Sequence, residues 1–160
     1  MGKCTTVDAR IDDIIDSLQG SFNVSLPALA IGSTATAVSN VAFDYQISGV
    51  RYTKAAVAAG TAPGNDVIPE DLFGAVALDI DAAGTITVAE ASKNAIGYAS
   101  AALAVAGLPA LAAGKARMGT VSASGSEDDF TFGTTDLDAA DTTVAYTDGD
   151  TANEAMGSAV

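Results

Sequence analysis

The sequence predicts a mainly β fold: a small antiparallel β-sandwich or barrel, preceded by an N-terminal amphipathic helix and an extended arm. Two observations carry the β assignment. Past residue 40 the apolar residues recur with a period of two, in paired runs joined by short Ser, Ala and Gly loops. Six or so such runs, with turn residues between them, fit a sandwich or barrel. A third observation sets the front of the chain apart: helical spacing up to residue 20, then a stretch to residue 40 with no charged side chain. The expected division is residues 1–40, helix and docking arm, and residues 41–160, antiparallel β domain.

The helix is expected over residues 5–20. Thr5 or Thr6 can cap its first amides, Asp8 sits near its positive end, and Gly20 can close it. Val7, Ile11, Ile14 and Leu18 follow at helical spacing, which puts them on one stripe. Asp12, Asp13 and Asp16 lie away from it. Four turns alone are marginal in water, so the stripe must be buried, either on the body of the same chain or on another subunit. Residues 21–40 mix Phe22, Val24, Leu26, Leu29 and Ile31 with Ser, Thr, Pro27 and Gly32. A solvated linker does not keep that many apolar groups. The stretch is expected to be an extended arm docked on a partner. These nine apolar residues form the candidate interface.

From residue 41 the elements follow in pairs. Phe43, Tyr45 and Ile47 alternate with Asp44 and Gln46, and Val50 and Tyr52 with Arg51 and Thr53. A loop at Ser48-Gly49 predicts a hairpin with Ile47 opposite Val50, Tyr45 opposite Tyr52, Gln46 opposite Arg51 and Asp44 opposite Thr53, apolar inside and polar outside. A second hairpin turns at Ala82-Ala83-Gly84, pairing Ile80 with Ile86 and Leu78 with Val88, with Gly84 at positive φ. Residues 60–71, rich in Gly, Pro, Asn and Asp, read as a loop. A short helix falls within 92–106. Further strands are expected at 116–122, around Phe130 and Phe132, and at 142–146, with turns at 125–129 and 133–141.

Composition narrows the chemistry. The 160 residues include 20 acidic and 7 basic side chains, no histidine, no tryptophan and one cysteine. Without histidine there is no Ser-His or Cys-His nucleophile pair and no imidazole metal site. Cys4 alone forms no intrachain disulfide. The net charge of −13 repels nucleic acid and anionic lipid, so neither is an expected partner. Residues 118–160 carry 9 of the acids and no base, so the charge is concentrated in that stretch, which is expected to face solvent. No apolar run follows the first residues, so no secretory signal is expected. Residues 96–114 are uncharged but mostly alanine, broken by Gly97, Gly107 and Pro109, and read as a buried or interface segment rather than a membrane span.

No motif commits the chain to catalysis or to a cofactor. Glu127-Asp128-Asp129, and Asp148-Gly149-Asp150 with Asn153 and Glu154, miss the EF-hand spacing and read as solvated acidic turns. A paired-carboxylate glycosidase needs an aromatic-lined cleft, and the aromatics here fall in strands. Gly114-Lys115 lacks the phosphate-loop pattern. Asn23-Val24-Ser25 is a glycosylation sequon of a kind common by chance. Lys115 and Arg117 are expected on a solvent face, bridging to the acidic tail. The expectation is no catalytic residue, no cofactor and no metal.

From residue 41 onward the order of elements resembles a small domain of tailed-bacteriophage structural proteins. The matching stretches are Phe43-Asp44-Tyr45-Gln46-Ile47-Ser48-Gly49-Val50-Arg51-Tyr52-Thr53-Lys54-Ala55 and Leu78-Asp79-Ile80-Asp81-Ala82-Ala83-Gly84-Thr85-Ile86-Thr87-Val88. Leu108-Pro109-Ala110-Leu111-Ala112-Ala113-Gly114-Lys115-Ala116, Phe130-Thr131-Phe132-Gly133-Thr134-Thr135-Asp136-Leu137 and Val144-Ala145-Tyr146 follow. The resemblance implies a virion protein without catalysis: a capsid decoration (cement) protein, a head fibre or a tail-associated module. Its expected partners are the major capsid protein and further copies of itself, with a trimer favoured. It would be made in the bacterial host cytoplasm and placed on the capsid exterior, anchored by the N-terminal segment. The alternatives are a tail or baseplate fibre component and a carbohydrate-binding host-recognition module; exposed Tyr98 beside Tyr146 would favour the latter.

Overall fold

The computed structural model describes residues 20–149. The predicted helix over 5–20, with Val7, Ile11, Ile14 and Leu18, therefore lies outside the described residues apart from Gly20. What is described is mainly β, in several antiparallel sheets. β1 (Phe22–Asn23), β4 (Phe43–Ile47) and β5 (Val50–Lys54) make one three-stranded sheet in the order β1-β4-β5. β2 (Ala30–Ile31), β3 (Val38–Asn40) and β6 (Val57–Thr61) make another, and β7 (Val67–Ile68) pairs with β11 (Phe130–Thr131). The central sheet holds β8 (Gly74–Asp81), β9 (Ile86–Glu90), β10 (Lys115–Gly125) and β12 (Thr142–Asp148), in the order β12-β10-β8-β9. The barrel alternative is thereby corrected. β9 and β12 end the central sheet as edges, and strands of two or three residues offer too few ladder bonds to join the sheets into a ring.

Both hairpins form in the predicted register: Ile47 faces Val50 and Tyr45 faces Tyr52, while Ile80 faces Ile86 and Leu78 faces Val88. Ser48 and Gly49 both take positive φ, the conformation whose twist matches the flanking strands. Gly84 also has positive φ, and Asp81 Oδ1 accepts from the Ala83 and Thr85 amides within the same turn. The two hairpins are tied together. Tyr45 Oη donates to the Asp81 carbonyl at 2.9 Å, and Lys54 Nζ to that of Gly84 at 2.7 Å. The simple inside-outside assignment fails at the first turn, where Val50 is exposed and Gln46 is buried. Val50 sits at the tip, beyond the reach of the sheet beneath.

One core spans the sheets. Phe43, Tyr45 and Ile47 of β4 pack with Val76, Leu78 and Ile80 of β8 and with Ala116, Met118, Val121 and Ala123 of β10. Along β10 the inward-facing residues change from even to odd. A β-bulge is the reason: Arg117 lies opposite Asp79 and Gly119 opposite Leu78, so Met118 is one residue extra. Phe130 and Phe132 close the core edge-to-face, their centroids 5.0 Å apart. The opposite face of β8 presents Ala75, Ala77 and Asp79, all buried, beneath the segment that carries α1 (Ala101–Ala106). Ala104 packs with Ala75 and Ala91 in a second cluster, where methyl-sized side chains let the helix sit close to the sheet. β8 is covered on both faces, which two-residue alternation alone did not reveal.

The docking arm is corrected for residues 20–40. Phe22 and Asn23 pair with Gln46 and Tyr45, and Ala30 and Ile31 pair with Ser39 and Val38. Leu29 is 8% exposed and belongs to the core, with Ile31 packed against it. Asn23, Leu29, Ala37, Val38 and Asn40 of this stretch are buried within the chain, where a charged group would lose its hydration. Residues 20–40 thus supply strands to sheets whose other members lie beyond residue 40. The 60–71 loop was also too broad: β6 reaches Thr61, and β7 lies within it.

Candidate interaction surface

The segment from Ser92 to Leu111 lies over the Ala75 face of the central sheet, and side-chain and backbone hydrogen bonds fix it there. Asn94, 1% exposed, accepts from the Ala75 amide with Oδ1 and donates to the Ala75 carbonyl with Nδ2, both at 3.0 Å. It thus replaces a neighbouring strand at that point. Phe73 and Tyr98 exchange backbone hydrogen bonds nearby. Ser100 then caps α1, its Oγ accepting from the Leu103 amide, and the Gly107 amide closes the other end on the Leu103 and Ala104 carbonyls. Of α1 only Ala104 is buried. What remains outside is apolar: Ile96 is 70% exposed, Leu103 55%, Val105 37% and Leu111 36%. Half of the large apolar side chains left exposed among the described residues come from this one segment.

Beside it runs a half-open, mainly apolar groove of about 370 Å³, walled by Phe22, Val105, Leu111 and Thr147, with Asp148 and Arg117 among its polar residues. Gly119 also lines it. A methyl group at Gly119 would collide with the Thr147 carbonyl and the Leu29 side chain, so only glycine fits. The wall is anchored by two buried polar residues. Asp79, 4% exposed, is held by Arg117, whose Nη2 also donates to the Pro109 carbonyl at 3.1 Å and so fixes the loop before Leu111. Asn23, fully buried, donates from Nδ2 to the carbonyls of Arg117, Met118 and Gly149 at 3.0, 3.2 and 3.2 Å. That amide is thereby engaged, so the sequon at Asn23 cannot carry a glycan on the folded chain.

The predicted residues divide. Val7, Ile11, Ile14 and Leu18 lie outside the described residues. Leu29 and Ile31 serve the core, Val24 is half-buried, and Phe22 lines the groove. Of the five candidate interface residues that are described, Leu26 alone stays open to solvent, at 51%. Among the described residues Arg117 pairs with Asp79, directly across the ladder. Lys115 instead donates to Thr87 Oγ1 at 2.6 Å. Glu127, Asp128 and Asp129 are exposed, and no group of three or more potential ligand side chains occurs among the described residues. Tyr98 packs with Phe73 and Leu108, and Tyr146 against the main core, so the two do not form one aromatic surface. No helix among the described residues is long and apolar enough to cross a membrane.

Burial perturbs two tyrosines. It pushes the Tyr45 hydroxyl above its usual pKa, with the Asp81 charge and Tyr52 adding to the effect. It does the same for Tyr146, with a smaller contribution from Asp138. The groove is not visible in the sequence because its walls come from distant segments; the uncharged 96–114 stretch reads there only as a buried or interface segment, with none of its exposed side chains singled out. The Ala-Leu-Ala-Val run at 102–105 is the available signal. Compared with protein-family models, curated proteins and solved structures, the chain matches none.

Proposed function

We propose that this chain is a non-catalytic structural protein of a tailed-bacteriophage virion, decorating or cementing the capsid as a homo-oligomer, with a trimer favoured. The observation that carries this reading is the concentration of bare aliphatic side chains on the segment that covers the central sheet. Isolated exposed aliphatics are ordinary on a monomer, but Ile96 and Leu103, 70% and 55% exposed, share one short stretch fixed on rigid β structure. Such a stretch suits contact with a second protein surface. The sequence resemblance to phage structural domains supplies the assembly in which such contacts recur. With Leu29 and Ile31 committed to the core, attachment moves from the arm to this face and to Leu26. Burial is the whole mechanism: apolar area returns about 25 cal/mol per Å², and repetition over many copies multiplies a modest contact into mechanical strength.

The test is fractionation of the phage particles. The chain is expected with heads, and Ile96→Asp with Leu103→Asp should release it while leaving its circular dichroism unchanged. Recovery only with detached tails would move it to a tail or baseplate fibre. Absence from particles altogether would end the virion reading.

A further inference from the structure

We infer that the groove between Phe22, Val105 and Leu111 seats this chain's own residues 7–18, the amphipathic stretch that leads into β1. The first argument is position. Ser21 and Phe22 line the groove, so the described chain begins in its wall. Leu18 lies four residues before Phe22, within about 14 Å even if fully extended, and Ile14 is one helical turn further on, about 6 Å. A tether that short places the stripe at an effective concentration in the millimolar range, with little loop to close.

The second argument is size and chemistry. An apolar cavity of about 150 Å³ accepts a benzene ring. The groove's volume of about 370 Å³ therefore has room for two or three branched aliphatic side chains. Val7, Ile11, Ile14 and Leu18 offer four, on a stripe that is marginal as an isolated helix in water. On a helical wheel Arg10 flanks the stripe, where it can meet Asp148 in the groove, whereas Asp12, Asp13 and Asp16 project to the other side. Gly149, the last described residue, also lines the groove, but the sequence that follows it is a poorer match. Its large apolar side chains are Met156 and Val160, and it brings Asp150 and Glu154 towards Asp148.

The native Cys4 provides the test. The full chain is spin-labelled there, and amide signals are recorded for ¹⁵N-labelled protein. Broadening at Leu111, Thr120 and Thr147 is expected to be far stronger than at the Glu127–Asp129 turn, which follows the end of β10 remote from the groove. It should vanish when spin-labelled unlabelled-nitrogen chain is mixed with unmodified ¹⁵N chain. Broadening that persists in the mixture means the stripe sits in a second copy and overturns the inference, as does its absence from both samples. Limited trypsin digestion gives a second readout. Leu111→Asp, on a partly exposed residue, should speed cleavage after Arg10 about tenfold by raising the open population; an unchanged rate overturns the docking. Neither readout involves particles, so failure here leaves the virion reading to its own test.

Discussion

Asp79 and Arg117 stand directly opposite one another on neighbouring strands, with Arg117 Nε donating to Oδ1 at 2.9 Å and Nη2 to Oδ2 at 3.3 Å. The carboxylate is nearly fully buried, whereas a quarter of the guanidinium side chain remains in solvent. The pair therefore secures a charge that the fold has already taken out of water, and it ties β8 and β10 to the loop at Pro109. Removing only the cation should expose that cost. Arg117→Met is expected to lower stability by about 2 kcal/mol, less than for a wholly buried pair because of the exposed guanidinium. Adding Asp79→Leu should recover most of the loss. Urea unfolding of the three chains checks this, and a double variant less stable than Arg117→Met would contradict it.

Asn23 gives the second prediction. Its Nδ2 meets three carbonyl oxygens, while its Oδ1 is buried with no hydrogen-bond partner among the described residues. Asn23→Ala should cost about 2 kcal/mol, by stranding carbonyls of β10 and of Gly149. Asn23→Asp should cost more, because a carboxylate would face those same oxygens without a proton to share. Thermal melts at pH 7 rank the two, and the ranking should narrow at pH 4, where the aspartate begins to protonate.

Tyr146 is the inverse case. Its hydroxyl is buried and has no hydrogen-bond partner among the described residues, although the ring packs on the core. Tyr146→Phe removes an unpaired polar atom and keeps the ring, so stability should rise by about 1 kcal/mol. A fall in melting temperature would reveal a partner for that hydroxyl.

The alkaline limb of stability should belong largely to the two tyrosines. Both are raised above the ordinary pKa of 10.0, so in the unfolded chain they release their protons first. Stability is then level up to about pH 10 and falls as pH rises from there towards the folded values. Tyr45→Phe should cost about 1 kcal/mol at pH 8, through loss of the bond to the Asp81 carbonyl. Above pH 10 its curve should descend less steeply than that of the parent chain. Parallel curves would assign the alkaline loss elsewhere.

The two hairpins were legible because their information is local: alternation, a two- or three-residue turn and one glycine of positive φ fix the register without reference to the rest of the chain. The bulge at Met118 left a trace too, in the shift of apolar parity between Ala116 and Val121, though only the ladder to Asp79 and Leu78 gives it meaning. The role of residues 20–40 was not legible. An uncharged, apolar stretch states that it must be covered, and covering by β4, β10 and β12 looks the same in sequence as covering by another molecule.

What the sequence determined by itself was the mainly antiparallel character, the two hairpin registers and the acidic balance, each set by neighbours a few residues apart. The tertiary structure decided where those pieces meet. It drew Leu29 into the core, matched Arg117 to Asp79 across the ladder, and left Ile96 and Leu103 outside. The reason is that burial is a property of surfaces from distant segments. Asn23 and Gly149 lie 126 positions apart in the chain yet share a hydrogen bond, and no local periodicity encodes that distance.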